Sequence, residues 1–392
     1  MTSVNVGLEV LRDSEEKRVR LKDKDVGLVS NCTGVTSDFE RSDQFFVGSE
    51  ANLKAVFMPE HGFFCTGKPG GPINDSLKGP VDVPLISLYG DKRQPPEDIL
   101  EDLDVLVYDI QDLGVRCYTY IHTMANCMKV ARETETEFLI LDRPPPLSGR
   151  KFEGRPIDDN LASFIGGYGL PMVYGLTPGE LGKYLSTEFS LGPPPSVIRM
   201  GGWRRELWYD ETGLPWVSPS PGIPNPETAL LYPATVLFEA TNISEGRGTN
   251  KPFKLFGAPW VTDQVKEELM NHLPVSDRGA CKLRECRYKP RFSKYSGELC
   301  HGYEIYVTDR LEFSPFRFGV TLVKVVHDMY PEDFTWCNSS LNKGKNHFDR
   351  LAGTKKFREL IEKRRDPEEI VRLAEEGIGK FEDSVSEFFL YE

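Results

Sequence analysis

Two runs constrain this chain most: "DVLVYDIQD" (104–112) and "EFLILDRP" (137–144). Each is continuously apolar through its centre and does not alternate. A strand with one wet face alternates, so a strand apolar on both sides must be covered on both. "DVGLVSN" (25–31), "NLKAVFMPE" (52–60), "VPLISLYG" (83–90) and "SVIRM" (196–200) read as further strands of this kind. "PPEDILEDL" (95–103) opens with proline and acids, as a helix start does. "YTYIHTMANCMKVARETE" (118–135) is long enough for a crossover helix. Strands alternating with helices predict parallel βαβ units: an α/β fold with a Rossmann-like parallel sheet.

The pattern changes after about residue 250. "DQVKEELMNHL" (263–273) reads as a helix, "GYEIYVTD" (302–309) as a strand and "RFGVTLVKVVHDMYP" (317–331) as a helix. The tail "DPEEIVRLAEEGIGKFEDSVSEFF" (366–389) is charged and helical. The expected division is an N-terminal domain over 1–250 and a smaller α+β C-terminal domain over 251–392. The Pro/Gly/Trp-rich stretch 201–233 is too long for a plain connection and predicts an ordered functional loop over the sheet.

The net charge of −12 disfavours long-range attraction to nucleic acid or an anionic membrane, so neither is an expected partner. No apolar run reaches the roughly 18–20 residues of a membrane helix. The charged start lacks a signal-type apolar core, which makes the cytoplasm the expected location. The eight cysteines are scattered, with no C-x-x-C, and predict reduced, mostly buried thiols. The six histidines are equally dispersed, so no metal centre is expected. No G-x-G-x-x-G follows a strand, which disfavours a dinucleotide, and no nucleophile-elbow or H-E-x-x-H motif occurs.

Polar residues collect directly after the strand runs. Asn31 follows the first, Glu60-His61-Gly62 the second, Asp109, Gln111 and Asp112 end the fourth, and Asp142-Arg143 the fifth. In an open parallel sheet the carboxyl ends share one rim, where ligands bind. Each residue also has a plainer use: Asp109 and Asp142 as caps, Arg143 as a structural partner of either, His61 as a loop anchor. A second cluster, "LFEATNISEGRGTNKPF" (237–253), crowds Glu239, Asn242, Glu245 and Arg247 onto a Gly-flexed loop. It suits a polyhydroxylated ligand. The alternative is a solvated loop with a helix cap at Thr249 or Asn250.

Together these segments resemble the exo-β-N-acetylmuramidase family of glycoside hydrolases. The resemblance rests on "GLVSNCTGV", "PEHG", "VPLISLYG", "VLVYDIQDLGVRCYTYIHTM", "LILDRPPPLSG", "GLTPGEL", "GWRRELWYDETGLPWVSPS", "TALLYPATVLFEATNISEGRGTNKPF" and "VTDR", in family order through nearly the whole chain. It implies a cleft between two domains, no organic cofactor, and release of N-acetylmuramic acid from the non-reducing end of peptidoglycan fragments. The partner it implies is a small saccharide, a muropeptide or related amino sugar. It implies Glu60 as the catalytic carboxylate, with His61 and Asp109 in the same role group. Substrate contacts fall to Asn31, Gln111, Asp112, Arg116, Tyr118, Asp142, Arg143, Glu239, Asn242, Glu245 and Arg247.

This chain departs from the family pattern at Phe63-Phe64, Pro145-Pro146, Val173-Tyr174 and Gly222-Ile223. Those changes motivate the alternatives of a shifted specificity or a non-catalytic carbohydrate-binding protein. Glycoside hydrolysis normally takes two carboxyl groups. Glu60 is the expected proton donor. Its partner is left among Asp109, Asp112, Glu239 and Glu245, with Arg116 and Arg247 as clamps for a substrate carboxylate.

Overall fold

The computed structural model describes residues 3–68, 70–71, 81–90, 92–337 and 346–392. The strands are β1 (Asp25–Ser30), β2 (Asn52–Met58), β3 (Leu85–Ser87), β4 (Val105–Asp109) and β5 (Glu137–Leu141), then a short antiparallel ribbon of β6 (Phe152–Glu153) and β7 (Val173–Tyr174), then β8 (Ser196–Ile198). Six of them form one sheet in the order β3-β2-β1-β4-β5-β8, every pair parallel. Strand order reverses between β1 and β4, where Ser30 lies opposite Asp109. A crevice opens beyond the carboxyl ends at such a reversal.

The continuous apolar runs are explained by cover on both faces. Val26, Leu28, Val105, Val107, Leu139 and Leu141 pack under Leu8, Leu11, Phe45 and Phe46. The intervening Val29, Leu106, Tyr108 and Ile140 pack against Ile121, Met124 and Met128 of the helix Tyr120–Glu133. Each such aliphatic side chain contributes about 1.5–3 kcal/mol on burial. The second core runs on without a break into the C-terminal part, through Tyr232, Phe253 and Phe256 to Phe316.

That part holds an antiparallel sheet of β9 (Leu255–Ala258), β10 (Cys281–Tyr288) and β11 (Cys300–Val307), ordered β10-β11-β9, with the helix Pro315–Met329. Three sequence expectations are corrected here. The stretch 201–233 ends in helix, because Asn225 caps and Pro226 opens the helix Pro226–Thr235. The tail divides at Gly377, whose φ of +84° breaks the α path between Pro367–Glu375 and Ile378–Val385. Thr249 caps no helix; its hydroxyl donates to Gly246 O at 2.6 Å and closes a turn. The last residues return to the large sheet: Leu390 N donates to Glu180 at 2.9 Å and the Tyr391 hydroxyl to Asp142 at 2.6 Å. Among the described residues no helix is long and apolar enough to cross a membrane.

Candidate active site

The loop after β2 is built by its own residues. Pro59 has no N–H and stops the ladder. His61 and Gly62 take φ of +74° and +71°, two left-handed residues in succession, and Gly67 N donates back to His61 O at 3.0 Å. The loop therefore closes on itself beside the strand end. Cys65 on this loop is joined to Cys32, two residues past β1. This corrects the expectation of reduced thiols throughout. The two cysteines lie 33 residues apart, but β1 and β2 are parallel neighbours, so their following loops meet at one rim. Cysteine spacing along the chain carries no sign of that.

Glu60 is held at both oxygens. Oε1 accepts from Gly70 N at 3.0 Å and Oε2 accepts from the Thr119 hydroxyl at 2.7 Å. The Tyr89 hydroxyl also bears on it. His61 Nδ1 lies 2.8 Å from Gly67 O. A carbonyl only accepts, so Nδ1 carries the proton and Nε2 is left as an acceptor. Burial pushes the His61 imidazole below its ordinary range against the pull of Glu60, with Arg247 pressing in the same direction as burial. The ring is neutral at neutral pH.

Arg247 brings in the second cluster. Its Nε and Nη2 donate to Glu239 Oε1 at 3.0 and 2.6 Å, and its guanidinium lies over Phe253 at 4.6 Å. Phe253 meets Tyr232 edge-on at 4.8 Å, and Tyr232 meets Tyr118 at 6.0 Å. An aromatic ladder thus joins the segment 232–253 to the residue beside Thr119. Burial opposes the charge on Glu239, but Arg247 outweighs it and holds the carboxyl below its usual range. The 201–233 stretch crosses here as expected: the Tyr120 hydroxyl donates to Pro219 O at 2.7 Å, and Gly222 passes against Phe253 and Arg247. A Cβ on Gly222 would lie 3.1 Å from the Phe253 ring.

The other candidate residues are held by partners within the fold. Asn31 donates to the Tyr120 hydroxyl at 2.9 Å and accepts from Thr33 N. Asp109 is fully buried, gripped by Arg143 Nε and Nη2 at 2.6 and 3.0 Å. Gln111 donates to the Asp112 and Pro144 carbonyls. Asp112 accepts from Gly114 N at 3.0 Å and from the Tyr174 hydroxyl. Asp142 accepts from Gly179 N and the Thr177 hydroxyl, both at 2.8 Å. Arg116 is fully buried and donates to the Leu170 and Leu351 carbonyls at 3.0 and 2.7 Å. Asn242 grips Asp333 O and Thr335 N, and Glu245 pairs with Lys294 at 2.9 Å.

So the structure gathers Glu60, His61, Tyr118, Glu239 and Arg247. Thr119, Tyr232 and Phe253 belong to the same cluster and were not singled out in the sequence as ligand-facing residues. Thr119 had a usable signal, since it stands directly before a helix. Among the described residues no group of three or more His, Cys, Asp and Glu could hold a metal ion.

One pH dependence follows from the supports. Burial raises the Asp142 carboxyl from 3.8 to about 7. The folded state therefore binds a proton that the unfolded chain releases. The resulting stability is complete below about pH 3.8 and is lost as pH rises through about 7. In thermal melts from pH 4 to 8, Asp142→Asn is expected to flatten the decline seen in the wild type. An unchanged slope would remove Asp142 as its source.

The parallel α/β sheet thus carries a carboxylate and a neutral histidine beyond a strand end, with an arginine-held second carboxylate in the same cluster; glycoside hydrolysis normally takes two carboxyl groups. The chain belongs to the exo-β-N-acetylmuramidase family: the N-terminal model of that family matches residues 26–227 and the C-terminal model residues 230–391. It is 39% identical over 391 residues to the peptidoglycan β-N-acetylmuramidase NamZ of Bacillus subtilis (strain 168), covering 99% of this chain and 91% of that protein. Two crystal structures of DUF1343 family proteins from Bacteroides fragilis NCTC 9343 are also similar. One superposes with a TM-score of 0.86 at 32% identity over 100% of both chains. The other gives 0.77 at 26% identity, over 100% of this chain and 99% of that one.

Proposed function

We propose that this chain cleaves the β-glycosidic bond of a terminal N-acetylmuramic acid in peptidoglycan fragments. The observation that carries the reading is a carboxyl, Glu60, fixed at both oxygens within the cluster that contains the Arg247–Glu239 pair. Glu60 donates its proton to the leaving oxygen. Glu239 supplies the second carboxylate. Of the four candidates for that role, Glu239 alone keeps substantial exposure, with 27% of its side chain open. The side chains of Asp109 and Glu245 keep 0% and 2%, and the Asp112 residue 6%. Arg247 keeps Glu239 ionised, as a base, nucleophile or stabiliser of an oxocarbenium ion must be. His61 accepts a substrate hydroxyl or amide proton at Nε2.

Arg247 also takes the clamp role alone, because the Arg116 guanidinium is spent on backbone carbonyls. Among the described residues Arg247 Nη1 makes no hydrogen bond, so it remains available to the lactyl carboxylate that distinguishes muramic acid. Arg247→Lys keeps a charge beside Glu239 but loses the planar fork. It is expected to raise KM for a β-N-acetylmuramide by about tenfold or more. Unchanged KM would remove Arg247 from substrate binding.

The reading itself is tested by hydrolysis of a chromogenic β-N-acetylmuramide beside the matching β-N-acetylglucosaminide. Release from the muramide is the expected result. Release from the glucosaminide alone would mean shifted specificity. Ligand-dependent thermal stabilisation with release from neither would mean a binding protein.

A further inference from the structure

We infer that Thr119 is a positioning residue for Glu60, through a hydroxyl that donates to the carboxyl and takes no part in helix capping. The kinetic consequence rests on the hydrolysis proposed above; the contact does not. Thr119 is the N-cap of the helix Tyr120–Glu133. A threonine there ordinarily turns its oxygen back to accept an N–H of the first turn. Thr177, the N-cap of the helix Pro178–Phe189, does so: its backbone is extended, with ψ of 162°, and its Oγ1 accepts from Glu180 N at 3.2 Å. Thr119 has ψ of −10° and makes no capping bond. Its hydroxyl donates to Glu60 Oε2 at 2.7 Å. Thr235, before the 3₁₀ turn Val236–Ala240, likewise makes no capping bond, and its hydroxyl goes to the Leu231 and Phe253 carbonyls; what sets Thr119 apart is its partner, the candidate acid.

The bond has a direction in the reaction. Glu60 passes its proton to the glycosidic oxygen, and the C–O electron pair stays on that oxygen as the bond breaks. Glu60 becomes a carboxylate while Thr119 keeps its own proton. A hydroxyl bonded to a carboxylate holds it more strongly than one bonded to the neutral acid. Thr119 therefore favours the transition state over the ground state, which raises kcat and leaves binding alone. It also fixes the carboxyl plane before substrate arrives.

Thr119→Val removes the donor and keeps the shape. Against a chromogenic β-N-acetylmuramide, kcat is expected to fall about tenfold with KM held within about twofold, and Thr119→Ser to recover most of the loss. A purely structural cap predicts unchanged kcat in Thr119→Val, and that outcome would overturn the inference. The contact is read separately by urea unfolding. Thr119→Val is expected to lower the midpoint in the wild type and to leave it unchanged in a Glu60→Ala background. Equal shifts in both backgrounds would overturn the pairing. A folded wild type that releases no sugar overturns the proposed hydrolysis instead, and the unfolding cycle then decides the contact alone.

Discussion

Glu60→Gln is expected to lose turnover by a factor of roughly 10²–10⁴, the usual contribution of a general acid, while the fold survives. The substitution removes the transferable proton and little else. The Gln amide oxygen can accept from Gly70 N, where Glu60 Oε1 now does. Its NH₂ can donate to the Thr119 hydroxyl, which rotates to accept. The site therefore keeps its hydrogen bonds, and the unfolding midpoint should stay near that of the wild type. Steady-state kinetics on the chromogenic muramide, with circular dichroism as the control for folding, make the check. A folded variant with near-normal kcat would remove Glu60 from the chemistry.

The largest loss of stability is expected from Asp109→Asn. Asp109 and Arg143 form a two-pronged ion pair with 0% and 4% of their side chains exposed. Asn is nearly isosteric but sets an NH₂ against the guanidinium. It leaves Arg143 with no counter-charge where water cannot reach. Breaking one side of such a pair costs about 3–5 kcal/mol, a large part of the 5–15 kcal/mol that holds a typical domain together. Replacing both residues with apolar side chains of similar volume is expected to recover most of the loss, because no charge then remains buried. Urea unfolding of the single and double variants measures both. If Asp109→Asn kept wild-type stability and lost turnover, the pair would be catalytic and not structural.

The same residues show what could be read from the chain. Continuous apolar runs forced a doubly covered parallel sheet, and all six predicted strands are in it, each a little shorter than its apolar run. Trimming by the strand ends is what places Asn31, Glu60 and Asp142 just past the ladder. The rim was legible for that reason. Roles on the rim were not. Asp109 and Glu60 look alike in sequence, each a carboxylate at the end of an apolar run. The difference between them is Arg143, 34 residues from Asp109 and two residues past the end of the next strand. Asp142 likewise spends its oxygens on the cap of a helix that begins at Pro178 and on a tyrosine at the far end of the chain.

Periodicity, strand-end chemistry and motif order are local properties, set by steric preference and by which side chains avoid water. By themselves they determined the α/β class, the strand set, the Glu60-His61 turn and the kinship. Pairing is not local. Tertiary structure alone decided that Cys32 meets Cys65, that Arg116 turns inward to backbone carbonyls, and that Arg247 reaches back to Glu239 beside His61. A carboxylate becomes a reagent or a support according to which charge and how much water surround it, and both are fixed only when distant segments pack together.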